Sequence, residues 1–237
     1  MSFWTDIQRN TSARGAAPLV TWLSDIGRIE LSGVTFNNAI CKASNFLVDG
    51  LELEEDATVS VSLRNHWQAP VWFGTALATG LTIVDSDPEI TFGTNEAAKN
   101  WQGSPDEFVV VSRDPFGMPE KDIPIGFING SAEVRNFGDF FSPRWPAAVD
   151  HNAIAVDSGE FTWDQLAQRA QEISSEHELN PGQSYGLHGY SDLITTIAFQ
   201  VVLPVAFGHS VVLIDQANPD FDVIKKQEKL EHIVLLG

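Results

Sequence analysis

The residues best placed to do chemistry fall in one short run, Asp157-Ser158-Gly159 followed by Glu160-Phe161-Thr162. An apolar segment, Ile154-Ala155-Val156, leads into the run as a strand. A helix follows it, because Trp163, Leu166, Ala170 and Ile173 recur at the spacing of one helical stripe. Thr162 is the expected N-cap, its hydroxyl accepting from a free N–H of the first turn. Gln165, three residues on, completes a capping box. Strand, tight turn and helix N-terminus are together a usual seat for a phosphate or another anion. The filling is wrong for that ligand: Asp157, Glu160 and Asp164 bring carboxylates, with one glycine and no lysine. Each carboxylate close to a phosphate costs about 1 kcal/mol even in water.

Other chemistry is thinner. Leu187-His188-Gly189-Tyr190-Ser191-Asp192 has the look of a hydrolase oxyanion segment with part of a nucleophile elbow, but Leu193 stands where the elbow needs glycine. The plainer reading is a strand end and a turn before a helix capped by Ser191 or Asp192. The six histidines (66, 151, 177, 188, 209 and 232) form no metal-binding motif, and His66-Trp67 at a helix start reads as packing. No glycine-rich dinucleotide or Walker-type motif occurs. Asp85-Ser86-Asp87 and Asp215 sit at the C-terminal ends of predicted parallel strands, where ligands bind and where plain loop acids also occur. Cys41 lies in a predicted helix beside Ile40 and reads as a small buried hydrophobe. No catalytic residue, metal ligand or cofactor is assigned.

Composition sets the partners. The 237 residues hold 32 acidic side chains against 14 basic, a net charge of −18. A surface this negative repels nucleic acid and anionic membranes. One cysteine permits no internal disulfide, and neither a signal peptide nor an apolar run of membrane-spanning length is evident, so the cytoplasm is the expected compartment.

The elements that position the run come in α/β order. A short helix is expected over residues 3–14, then a strand at Val20–Leu23, a turn at 25–28 and a return strand at 29–31. Ser32 caps a helix striped by Phe36, Ala39, Ile40, Ala43, Phe46 and Leu47, closed by Gly50. An acidic loop (Glu52, Glu54, Glu55, Asp56) precedes a strand at 58–63, a helix over 65–79 ending at Gly80, and a strand at 81–84. Residues 86–149 form an irregular middle with one strong strand, Phe108–Val111, and enough aromatics to pack. Beyond the opening helix come a strand at 182–187, a buried helix over 193–207, a strand at 211–214, a helix over 222–231 and a strand at 233–236.

The two ends of the chain echo each other. Both blocks run strand, capped helix, strand, helix, glycine, then a β-branched strand ending in aspartate, Gly80 to Asp85 and Gly208 to Asp215. The expectation is a single compact α/β domain over 1–237, with pseudo-repeated parallel-sheet units at 20–85 and 150–237.

These residues also resemble a known superfamily, the adenylate-forming enzymes (acyl-CoA synthetases, adenylation domains, luciferases). Ser32 and Phe36 resemble its helix opening, Val59 to Asn65 its strand ending in Asn, and Ala78-Thr79-Gly80 its helix end. Leu203-Pro204-Val205-Ala206-Phe207-Gly208 before Val211-Val212-Leu213 resembles its "L-P-L-x-x-G-x-x-V-V-L". More closely, the run at 114–119 and 134–141 (D-P-F-G-M-P, V-R-N-F-G-D-F-F) is similar to a short uncharacterised actinobacterial family related to those enzymes. The resemblance implies the fold of an acyl-CoA synthetase N-terminal domain. It also marks a departure: the superfamily's phosphate loop, T-S-G-T-T-G-x-P-K-G, aligns with a stretch that keeps only Ser158 and Gly159. Asp157, Ser158, Gly159 and Thr162 are then a vestigial loop, and the sequence stops before the motifs and the lysine-bearing domain that complete the enzyme. What this implies is a non-catalytic relative that binds a protein partner or a second copy. The alternative is a site for a small apolar or nucleotide-like ligand (acyl, adenylate or CoA), or an acyl-activating enzyme completed by another chain.

Overall fold

A computed structural model describes residues 2–55, 57–145 and 151–237. Met1, Asp56 of the acidic loop, and residues 146–150, which include the expected 149/150 boundary, lie outside the described residues. Helix α1 (Phe3–Arg14) leads into an antiparallel hairpin, β1 (Pro18–Ser24) and β2 (Gly27–Ser32). Ser32 caps α2 (Gly33–Asn45), its hydroxyl accepting from the Thr35 N–H at 3.1 Å. Of the expected stripe, Phe36, Ile40, Ala43, Phe46 and Leu47 are buried and Ala39 is partly buried, and the helix loosens into a π segment that closes at Gly50. Strand β3 (Thr58–Ser62) follows, then α3 (Gln68–Thr79) and β4 (Thr82–Val84).

Helix α3 begins at Gln68 rather than 65, because Arg64 takes a left-handed φ of 50° and Asn65–Trp67 form the turn out of β3. All twelve residues of α3 are buried, the pattern of a helix enclosed by protein on every side. Gly80 ends it at φ 75°, the left-handed cap that glycine takes without strain.

The middle is more regular than its composition suggests. It holds β5 (Ile90–Gly93), α4 (Asn95–Lys99), β6 (Phe108–Val110), β7 (Ile128–Asn129) and α5 (Gly130–Glu133). The chain then enters a second hairpin, β8 (Asn152–Val156) and β9 (Gly159–Thr162), and α6 (Trp163–Glu176). Strand β10 (Ser184–His188) precedes α7 (Leu193–Ile197), a π segment at Ala198–Val202, and α8 (Leu203–Ala206). One expected helix is thus interrupted by a π insertion. Strand β11 (Ser210–Asp215), α9 (Phe221–Glu228) and β12 (His232–Leu235) close the fold.

Two sheets result, ordered β12-β10-β11-β1-β2 and β7-β6-β5-β3-β4-β8-β9. The strands pair in parallel except within the two hairpins, β1/β2 and β8/β9. The two sheets share a strand order: β12-β10-β11-β1-β2 corresponds to β5-β3-β4-β8-β9. Each hairpin, however, pairs with the block at the other end of the chain. β1 lies beside β11, with Trp22 opposite Leu213, and β8 lies beside β4, with Ile154 opposite Ile83. The two halves exchange hairpins, and one continuous apolar core runs from Phe3 and Phe36 through Trp72 to Phe199 and Leu213.

Candidate functional site

The run that opened the sequence reading is a hairpin tip. Asp157 and Ser158 are the two-residue turn between β8 and β9, and Gly159 begins β9 at φ 140°, a backbone shape side chains rarely take. The turn therefore does not feed the helix directly, as the sequence suggested; four residues of strand lie between, and Asn152 faces Thr162 across the ladder. Glu160, one residue into that strand, accepts from the Asn152 amide at 2.7 Å. Of the four predicted residues the fold groups Asp157, Ser158 and Gly159 at the tip and sets Thr162 at the far end of β9.

Thr162 does what its position predicts. Its hydroxyl accepts from the Gln165 N–H at 3.4 Å, and the Gln165 amide oxygen accepts from the Thr162 N–H at 2.9 Å. The start of α6 is thus occupied by its own capping box. Trp163 fills the remaining space: it is buried, stacks edge-on to Phe3 at 5.2 Å, and donates its indole N–H to Asp6 at 2.9 Å. Trp163, Leu166, Ala170 and Ile173 are all buried, as their spacing required.

The concave site lies elsewhere. A cleft of about 810 Å³ opens where the C-terminal ends of β3 and β4 meet the loop after β10. Ser60 and Ser62 line it from β3, Arg64 from just beyond that strand, Asp85 and Asp87 from the loop after β4, Tyr190 and Asp192 from the other sheet's loop, and Trp101 from beyond α4. Strand C-termini are where open α/β sheets receive ligands. The sequence pointed to Asp85-Ser86-Asp87 and, separately, to Tyr190-Ser191-Asp192; nothing in it joins them, because β4 and β10 belong to different sheets.

The groups in the cleft bear on one another. Burial raises the Tyr190 phenol above its ordinary pKa, with Asp192 and Asp85 adding to the shift and Arg64 opposing it. Burial works against the Asp192 carboxylate, but hydrogen bonds from Thr195 and Ser191 outweigh it and hold its pKa below the usual value. Asp192, not Ser191, caps α7, accepting from the Thr195 N–H at 2.9 Å. The remaining lead, Asp215, takes no part in the cleft lining; its carboxylate accepts from Arg113 and from the Trp22 indole.

Behind the cleft runs a buried polar chain that sequence reading missed. The Gln200 amide donates to Asn65 Oδ1 at 3.1 Å, and Asn65 Nδ2 donates to the Gly189 carbonyl at 2.7 Å. That ties the π segment to the turn after β3 and to the loop carrying Tyr190. Gly189 has no alternative: at φ 89°, an added Cβ would lie 1.8 Å from the Leu236 carbonyl oxygen. Beside this chain His66 is fully buried, edge-on to Trp22 at 4.7 Å. Its Nδ1 accepts from the Gln68 N–H at 3.3 Å, so the neutral ring carries its proton on Nε2, which has no partner. Burial foremost, with the Arg113 charge, drives its pKa down to about 3. Cys41 is buried in α2, as expected. Among the described residues, no group of three acidic, histidine or cysteine side chains is close enough to hold a metal ion, and no helix is long and apolar enough to cross a membrane.

Comparison with known proteins bears on the fold. No family model matches the chain. A Mycobacterium tuberculosis protein described as a TIGR03089 family protein is 34% identical over 152 residues, 60% of each chain. The acetoacetyl-CoA synthetase from Streptomyces lividans superposes with a TM-score of 0.76 at 12% identity, over 99% of this chain and 42% of that one. The chain thus spans less than two thirds of either protein's length. The α/β arrangement of two largely parallel sheets is accordingly that of part of an acyl-CoA synthetase.

Proposed function

We propose that this chain is a non-catalytic relative of the adenylate-forming enzymes, acting as a binding or partner-interaction protein. The observation that carries the reading is the two-residue turn Asp157-Ser158. A loop that wraps a triphosphate needs several small residues whose N–H groups converge, and a cation. This tip offers one glycine, Asp157 and the nearby Glu160, while Thr162, Gln165 and Trp163 occupy the helix start. Asp157, Ser158, Gly159 and Thr162 are, on this reading, what is left of the loop. The same reading takes residues 1–237 as one α/β unit whose ends, 20–85 and 150–237, are an exchanged pseudo-repeat. An ATP–pyrophosphate exchange assay across a panel of carboxylic acids tests it. The expected result is no exchange above the buffer rate; exchange with any acid contradicts the proposal.

A second reading is favoured by the cleft. Its volume of about 810 Å³ suits a small ligand, and polar and aromatic groups from both sheets converge on it. On this reading the chain holds a small molecule without activating it.

A further inference from the structure

We propose that a further cavity, on the face of the five-stranded sheet that carries α9, binds a small hydroxylated monocarboxylate. Its volume is about 480 Å³. It opens where β10 and β11 begin, at the opposite end of that sheet from the cleft. Strand register builds it. Thr21 of β1 stands opposite Val212 of β11 and Glu30 of β2, Leu23 stands opposite Arg28, and Ser184 stands opposite Ser210. Side chains alternate along a strand, so Thr21, Arg28, Glu30, Ser184 and Ser210 share one face. The C-terminal end of α9 crosses that face, where both Glu228 oxygens accept from Arg28, at 2.9 and 3.0 Å.

Two observations point to a ligand. Thr21 lines the cavity yet is only 4% exposed, and its hydroxyl has no hydrogen-bond partner among the described residues. Buried hydroxyls are ordinarily satisfied. Beside it the Ser184 and Ser210 hydroxyls share one hydrogen bond at 2.5 Å, which uses one of their two protons and leaves the other to donate. The second observation is charge. Arg14 lines the cavity and donates to the carbonyls of Pro18, Gly208 and His209, but meets no carboxylate among the described residues. Burial lowers its pKa, as it does for a cation without a counter-ion. Lys229 lines the cavity from the end of α9 and likewise pairs with no described carboxylate. Glu30 and Glu228 are both taken up by Arg28 and limit what can enter. One negative charge near Arg14 and Lys229 is compensated, whereas a second would face the glutamates. That selects a carboxylate over a phosphate dianion, and the three hydroxyls select a hydroxylated one. The net charge of −18 opposes any anion from afar, but salt screens that repulsion beyond about 8 Å. Within the lining, cations outnumber carboxylates three to two.

Isothermal titration with lactate, glycerate and gluconate, at physiological salt, tests the inference. Saturable one-site binding of at least one acid is expected, weakened about tenfold in Thr21→Val and in Lys229→Asn, the loss that one hydrogen bond to a charged group predicts. Valine keeps the β-branched shape of Thr21, and asparagine tolerates the left-handed backbone of Lys229 at φ 55°. An unchanged melting temperature verifies each variant's fold. Lys226→Gln, an exposed α9 position outside the lining, controls for diffuse attraction and should bind as the natural chain does. Glycerol 3-phosphate should bind more weakly than the best of the acids. The inference is overturned if none of the three acids binds, if either variant binds as well as the natural chain, if the control loses as much affinity, or if the phosphate binds as tightly.

Discussion

The indole N–H of Trp163 reaches the carboxylate of Asp6 at 2.9 Å, joining the first residue of α6 to α1 across 157 positions of sequence. The other Asp6 oxygen pairs with Arg9 at 2.7 Å, so a nearly buried carboxylate is satisfied from both sides. The helix start that could have held an anion is thereby committed to holding two helices together. Asp6→Ala strands the Trp163 N–H in the core, at an expected cost of about 1–3 kcal/mol. Urea denaturation measures it; a loss under about 0.5 kcal/mol would show the bond to be incidental.

His66 sets a pH dependence. Its pKa is about 3 in the folded chain against 6.5 in the open one, so the unfolded state binds the extra proton between those values. Stability from this group is complete above pH 6.5 and falls as pH drops toward 3, by about 1.4 kcal/mol per pH unit at most. Arg113 reinforces the shift and Asp114 opposes it, while buried His209, also lowered by its burial, adds in the same direction. Comparing urea midpoints at pH 7 and pH 5 should show His66→Asn less stable at pH 7 but with a shallower decline. An unchanged decline would remove His66 from the account.

Gly189 fixes the loop that carries Tyr190. Gly189→Ala combines a left-handed backbone with a clash against Leu236, worth about 2–4 kcal/mol together. Thermal melts read the loss directly. A variant that melts with the natural chain would mean that the 188–192 loop moves freely.

Exchange of the hairpins has a consequence for folding. Because β1 and β2 complete the sheet of β10–β12, while β8 and β9 extend the sheet of β3–β7, neither half closes its own sheet. A fragment of residues 1–145 should lack cooperative unfolding, whereas the whole chain unfolds in one transition. A sharp denaturation curve from the fragment would contradict the exchange.

Much of this was legible in the sequence where local signals act alone. The caps Ser32 and Thr162, the stripe Trp163-Leu166-Ala170-Ile173 and the stop at Gly80 depend on residues within a turn or two, and each lies where its spacing places it. The strand β9 escaped because four residues rich in polar groups become a strand only through pairing with β8. Strand β5 escaped because Ile90-Thr91-Phe92-Gly93 is buried throughout and so shows no alternation. The π segment at Ala198–Val202 departs from the 3.6-residue period on which helix reading relies. The cleft was hidden for a topological reason: its walls come from different sheets, and Asp85 and Tyr190, which meet in it, are 105 positions apart in the chain.

The central claim is that the Asp157-Ser158 tip does not hold a nucleotide triphosphate. A thermal-shift series with ATP, AMP and CoA, with and without Mg²⁺, tests it most directly. A ligand at a hundred times its Kd adds about 2.7 kcal/mol of stability, which at this chain length raises Tm by roughly 5–10 °C. The account predicts no shift with ATP under either condition. A shift of that size with ATP, enhanced by Mg²⁺, would contradict it.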